Sequence, residues 1–160
     1  YEDKNVEVFV RQGVYTREEA KARADIRLEN YTKIINIEAL TMVEMAKRDV
    51  IPAVSDFIAE LCGNLAAKRA VYDELPCETE KKLISRLSAL NDEASLIVEK
   101  LESDLKNIDM REIVSSAQAM AHTVIPDMDK LRNCVDEMET LTSSDYWPYP
   151  SYFDILYGVK

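Results

Sequence analysis

Between Ile34 and Ala46, nine of thirteen residues are apolar, and they point to every side of a helical wheel. A helix that is apolar all round needs cover on more than one side. The stretch lies within a longer pattern that begins at Thr16-Arg17-Glu18-Glu19, a capping box in which Thr16 and Glu19 each satisfy the other's backbone amide. From there a seam runs through Ala24, Leu28, Tyr31, Ile35, Glu38, Met42 and Met45, alternating four and three as in packed helices. Pro52 interrupts the pattern and predicts a kink, after which the stripe resumes at Val54, Phe57, Leu61 and Leu65. One long kinked helix is expected over 16–75, with Pro76 making the turn.

The next segment, 78–107, has the cleanest periodicity in the chain. Leu83, Leu87, Leu90, Ala94, Ile97, Leu101 and Leu105 form an apolar stripe with polar residues at most other positions, the pattern of one arm of a helical hairpin. A third helix is expected over 109–142, capped by Asp109 with Glu112 at the matching box position. Its seam is Ile113, Ala117, Met120, Val124, Met128, Leu131, Val135 and Met138. The two successive steps of four around Pro126 are a stutter that should locally unwind the packing. Val50-Ile51-Pro52 and Val124-Ile125-Pro126 echo each other without any wider repeat, which suits coincidence or a shared local geometry.

The two ends differ from this middle. The lead-in, 1–15, carries Val6, Phe9 and Val10 at helical spacing before Gly13, a residue that commonly stops a helix. Because Val6, Val8 and Val10 also alternate, an extended strand competes with a short helix there. The tail, 145–160, holds six aromatic residues in Tyr146-Trp147-Pro148-Tyr149-Pro150-Ser151-Tyr152-Phe153 and Tyr157. Pro148 and Pro150 favour extended backbone, and Ser151 is placed to cap a last short turn. Such a tail either docks on the bundle as a lid or anchors another domain or subunit, with Trp147, Tyr149 and Tyr152 as the candidate interface. The fold class is therefore all-α: an antiparallel bundle of three long helices, a short N-terminal helix and an extended aromatic tail, in one helical domain over 1–160.

Composition narrows the partners. Of 160 residues, 47% are hydrophobic and 31% charged, the balance of a globular domain, and three glycines with five prolines leave little room for a many-turned β fold. A net charge of −10 with no basic patch speaks against nucleic acid. No unbroken apolar run approaches the ~18 residues of a membrane span, so no membrane partner is expected. Cys62, Cys77 and Cys134 fit neither a disulfide framework nor a zinc site, and read as reduced thiols of a cytoplasmic protein. The chain opens at Tyr1 directly into structured-looking sequence, as a piece of a longer protein would.

Catalytic chemistry is hard to assemble from these residues. A di-metal bundle site needs a Glu-x-x-His on each of two helices, whereas His122 is the only histidine and Ala119 stands three before it. Gly13, Gly63 and Gly158 are too far apart for a phosphate loop. Glu38, placed by periodicity among apolar neighbours, needs a cationic or hydrogen-bonding partner, and Asn36 and Thr41 are placed to join it in a buried polar network.

Two segments nevertheless carry a resemblance. Glu29-Asn30-Tyr31-Thr32-Lys33-Ile34-Ile35-Asn36-Ile37-Glu38-Ala39, continuing through Met45-Ala46 to Ile51-Pro52-Ala53, and Tyr146-Trp147-Pro148-Tyr149-Pro150-Ser151-Tyr152 followed by Asp154-Ile155-Leu156, resemble the C-terminal helical region of type III glutamine synthetases. The resemblance implies an accessory, non-catalytic region of an enzyme that joins ammonia to glutamate with ATP and divalent ions, Mg or Mn. It implies no catalytic, cofactor-binding or metal-binding residue in this chain. The implied partners are the upstream catalytic domain and neighbouring subunits of an oligomer. A free-standing helical scaffold that binds partner helices is the alternative, and an independent enzyme is the weakest reading.

Overall fold

The computed structural model describes residues 3–158, and every regular element among them is helical. Helix α1 spans Asp3–Arg11 and ends at Gly13, whose φ of 65° is the left-handed stop that the sequence suggests. Helix α2, Arg17–Met45, opens on the capping box: the amide of Thr16 donates to Glu19 Oε2 at 2.8 Å, and the amide of Glu19 to Thr16 Oγ1 at 3.2 Å. It continues through a π-turn, Ala46–Val50, into α3, Ile51–Val71. Helix α4 runs Glu78–Asn107, α5 Ile113–Ala119, and a second π-turn, Met120–Val124, leads into α6, Ile125–Leu141. The tail closes in α7, Tyr152–Tyr157, where Ser151 caps with Asp154 in a box of its own.

The third long segment begins later than its capping box predicts. Asp109 spends its carboxylate on Arg111, accepting from the backbone amide at 3.0 Å and from Nε and a terminal guanidinium nitrogen at 2.9 and 2.7 Å. The amide of Glu112 instead donates to the Asp109 carbonyl in a turn, and the helix starts at Ile113 without a side-chain cap.

The Val-Ile-Pro echo proves to be shared geometry. A proline ring strikes the carbonyl four residues before it and offers no amide in return. Those carbonyls belong to Arg48 and His122, and both lie inside the π-turns, where the amides of Ile51 and Ile125 reach back five residues to Ala46 and Met120. Each wide turn thus absorbs the residue pattern that proline forbids in a regular helix. Both π-turns pack on α4.

Helix α4 lies against α3 on one side and α6 on the other, and α5 rests on α2. Cross-links trace the pairing: Lys68 to Glu80, Asn91 to Ser55 at 3.0 Å and Lys47 to Glu102 at 2.9 Å on one flank, Arg86 to Glu137 at 2.5 Å and Lys100 to Asp127 on the other. Residue numbers fall on one helix as they rise on its neighbour. The core between them is built from Val54, Leu87, Leu90, Leu101, Met120, Leu131 and Met138. The segment Arg17–Val71 contains a window long and apolar enough to cross a membrane by length and composition alone, although no unbroken apolar run exists. Within it Val54 and Leu61 belong to the bundle's core.

Before Pro52 the buried seam of the first long helix is not the one that periodicity suggests, whereas beyond it Val54 and Leu61 are buried as the resumed stripe predicts. The residues that turn inward before the proline are Thr32, Ala39, Val43, Ala46 and Val50, the first four of them one position beyond Tyr31, Glu38, Met42 and Met45. Small residues at Ala39 and Ala46 fill the contact, and larger ones are turned out: Ile34, Ile37, Leu40 and Met45 are 54%, 63%, 49% and 41% exposed. This assignment predicts opposite outcomes for two neighbouring substitutions. Ala39→Leu should cost about 1–3 kcal/mol by overpacking, while Leu40→Ala should stay within about 0.5 kcal/mol, both read from urea unfolding.

Candidate functional site

A cleft of about 730 Å³ opens between α2 and α6, with Trp147 and Tyr149 of the tail among its lining residues. Ile37, Glu38, Thr41 and Met45 line it from the first long helix, and Met128, Asp129, Arg132, Val135, Asp136 and Glu139 from α6. Ala46, Val50 and Leu131, all buried, reach it from the core. The lining is apolar with carboxylates among it, a surface that suits an amphipathic partner.

The expected polar network of Glu38, Asn36 and Thr41 is not assembled inside the bundle. Glu38 is exposed and makes no hydrogen bond or ion pair among the described residues. Asn36 is half-buried, and the exposed Thr41 donates to the carbonyl of Ile37 in its own helix at 2.9 Å. The physical reason is the rotation of the seam: with Ala39 and Val43 inward, residue 38 turns toward the cleft and water. Thr32 is the polar residue buried on this helix, and its hydroxyl is satisfied by the Leu28 carbonyl at 2.9 Å.

The aromatic tail lies on the bundle. Trp147 and Tyr149 are half-buried against the core, with their rings 6.5 Å apart and nearly perpendicular. Tyr149 donates its hydroxyl to Asp49 Oδ2 at 2.9 Å, and Tyr146 donates to Glu60 while its ring lies tilted against Phe57 with centroids 5.4 Å apart. Burial, with the Asp49 carboxylate behind it, pushes the Tyr149 phenol up to about 12. Bonding to Glu60 and burial likewise raise Tyr146. Tyr152, the third candidate interface residue, opens α7, and its side chain lies outside the described residues. Beyond it Phe153, Ile155, Leu156 and Tyr157 are exposed.

The strongest buried polar group is Asp127, which sequence reasoning missed. Its carboxylate accepts from Lys100 across the helix pair and from Lys130 on its own helix at 2.8 Å. Burial alone would raise its pKa, but the two ammonium groups outweigh that and hold it below the usual carboxylate range. Lys130, three residues on, was a readable signal. Lys100 was not, because it arrives from a different helix.

All three cysteines are free thiols, Cys77 and Cys134 are buried, and burial with Glu93 and Glu137 nearby raises Cys134 further from its thiolate. His122 is exposed within the second π-turn. Among the described residues, no group of three or more His, Cys, Asp or Glu side chains is arranged to hold a metal ion.

Comparison with known proteins supplies what the geometry does not. A family described as the glutamine synthetase C-terminal domain matches residues 1–69. A glutamine synthetase of Butyrivibrio fibrisolvens is 33% identical over 159 residues, 99% of this chain and 23% of that protein. A glutamine synthetase of Bacteroides fragilis is 23% identical over 155 residues, 94% of this chain and 21% of that protein. The type-3 glutamine synthetase of Dictyostelium discoideum is 25% identical over 162 residues, covering 97% of this chain and 22% of that protein. The chain resembles the C-terminal helical region of type III glutamine synthetases. It spans less than a quarter of the length of these relatives.

Within the glutamine synthetase likeness, the family match over residues 1–69 takes in the outward apolar row Ile34, Ile37, Leu40 and Met45. The α6 wall of the cleft lies beyond that match, and periodicity hid it by assigning Met128 and Val135 to the core. Their neighbours Asp127 and Cys134 are the buried ones.

Two pH-dependent outcomes follow from the polar anchors. Because Asp127 is held low in the folded state, its contribution is complete above the unfolded Asp pKa of about 3.9. It is lost as pH falls through the lower folded value. Asp127→Asn should flatten that part of the acid limb in urea unfolding between pH 2 and pH 5, and lower stability at pH 7 by about 1–3 kcal/mol. Because Tyr149 is raised, its contribution is complete below the ordinary tyrosine pKa and is lost as pH rises toward about 12. Tyr149→Phe should remove this alkaline sensitivity and, by freeing the tail, red-shift the emission of Trp147.

Proposed function

We propose that this chain is the non-catalytic C-terminal helical domain of a glutamine synthetase, an antiparallel three-helix bundle bent at Pro52, supporting the fold or assembly of that enzyme. The observation that carries the reading is the row of large aliphatic side chains on the first long helix, within the family match over residues 1–69. Ile34, Ile37, Leu40 and Met45 stand outward where an isolated bundle gains nothing from exposing them. Alignment over 99% of the chain to a protein more than four times its length supports the same reading.

In this reading the catalytic domain and neighbouring subunits bury the apolar row and the tail beyond Ser151. ATP and divalent ions serve the catalytic domain. No chemical step is assigned to this chain. What the domain contributes is surface: burying an exposed Ile or Leu yields roughly 1.5–3 kcal/mol, so four such residues are enough to bias assembly. Sedimentation of the longer enzyme with and without this region tests the role. Removal should shift the assembled particle to smaller species, and an unchanged particle size with unchanged thermal stability would overturn the proposal.

A further inference from the structure

The cleft between α2 and α6 has the dimensions and the charge of a helix-binding groove. Ile37, Thr41 and Met45 succeed one another at steps of four on one face, a row roughly 12 Å long at 1.5 Å per residue. That length matches about two turns of a facing helix. On the far wall Met128 and Val135 repeat at seven, so that both walls offer apolar side chains once every two turns. Methionines on both sides give a lining that adapts to a partner's side chains.

The rim selects the partner's charge. Glu38, Asp129, Asp136 and Glu139 line the cleft against a single guanidinium, Arg132, which is itself paired with Asp136 at 3.5 Å. Glu38, Asp129 and Glu139 have no hydrogen bond or ion pair among the described residues. We propose that the groove receives an amphipathic helix from another polypeptide, apolar on one face and basic along its flanks, laid between α2 and α6 as a fourth helix of the bundle. Apolar anchors at i, i+3 and i+7 fill the methionine-lined floor, and lysine or arginine on the flanks meets the unpaired carboxylates. The inference rests on the synthetase reading, because Ile37 and Met45 belong to both the groove and the outward row; peptide binding tests the groove and sedimentation tests assembly, so the two failures are distinguishable.

Trp147 is the only tryptophan and lines the same cleft, so its emission reports occupancy. The test is titration of the 160-residue chain with a designed helical peptide of about 12 residues, leucine at i, i+3 and i+7 and lysine on both flanks. A second peptide with glutamate in place of each lysine is the control. The basic peptide should give a saturable change in Trp147 emission, and the acidic one should bind at least about tenfold more weakly. Asp129→Lys with Glu139→Lys should reverse that preference. Ile37→Glu, at an exposed position that leaves the core intact, should abolish binding while far-ultraviolet circular dichroism stays unchanged. The proposal is overturned if neither peptide gives a saturable change, if both bind alike, or if Ile37→Glu leaves binding unmoved. It is equally overturned if Trp147 emission follows protein concentration alone, which would place a second copy of the chain in the groove.

Discussion

Close approach through small side chains governs this bundle. Ala39 and Ala46 occupy the inward face of the first long helix among Val43, Val50 and Val54, and at these two positions only a methyl group stands between its backbone and what it packs on. Interiors are packed to crystal density, so a seam built on alanine brings helix axes nearer than a leucine seam does. The large aliphatic residues of the same stretch cannot share that face and are turned outward. The exposed row, the methionine-lined cleft and the displacement of Glu38 into solvent are three expressions of the same contact.

This explains what could and could not be read in the sequence. Helix α4 was legible almost to the residue, because leucine recurs along one face and its flanks are polar. The capping box at Thr16 and the cap at Ser151 were legible because each depends on only a few consecutive residues, though the reciprocal bond from Asp154 was not foreseen. The seam of the first helix was displaced by one position. Nine apolar residues among thirteen support several faces equally, and periodicity favours the larger side chains, whereas the fold chose the smaller. Asp109 was misread for a different reason: Arg111, two residues away, takes the carboxylate that would have capped the helix. The cleft was invisible, since its two walls lie far apart in the chain and its α6 wall imitates a core seam.

The polar interactions divide into two kinds. Surface pairs such as Lys33 with Glu29 and Arg48 with Glu44 join residues of one helix and contribute little to how helices are arranged. Asp127 with Lys100, Tyr149 with Asp49 and Tyr146 with Glu60 join separate segments, and they fix the tail and the third helix where apolar packing alone would permit sliding. Two of these three are phenol to carboxylate bonds from the tail, so the aromatic segment up to Tyr149 belongs to the bundle. Beyond it Phe153, Ile155, Leu156 and Tyr157 of α7 stay exposed.

The matched π-turns bear on how this sequence tolerates change. Each carries one residue more than a regular helix needs to reach the same point. Loss of that residue would return the turn to ordinary winding and rotate everything beyond it by about 100°. Both turns rest on α4, so a deletion in one alone would unseat one partner of that helix while leaving the other in register. Length changes in this fold are therefore confined to the links between helices, or must occur in both long helices together. The two Val-Ile-Pro triplets mark where the bundle's length is fixed.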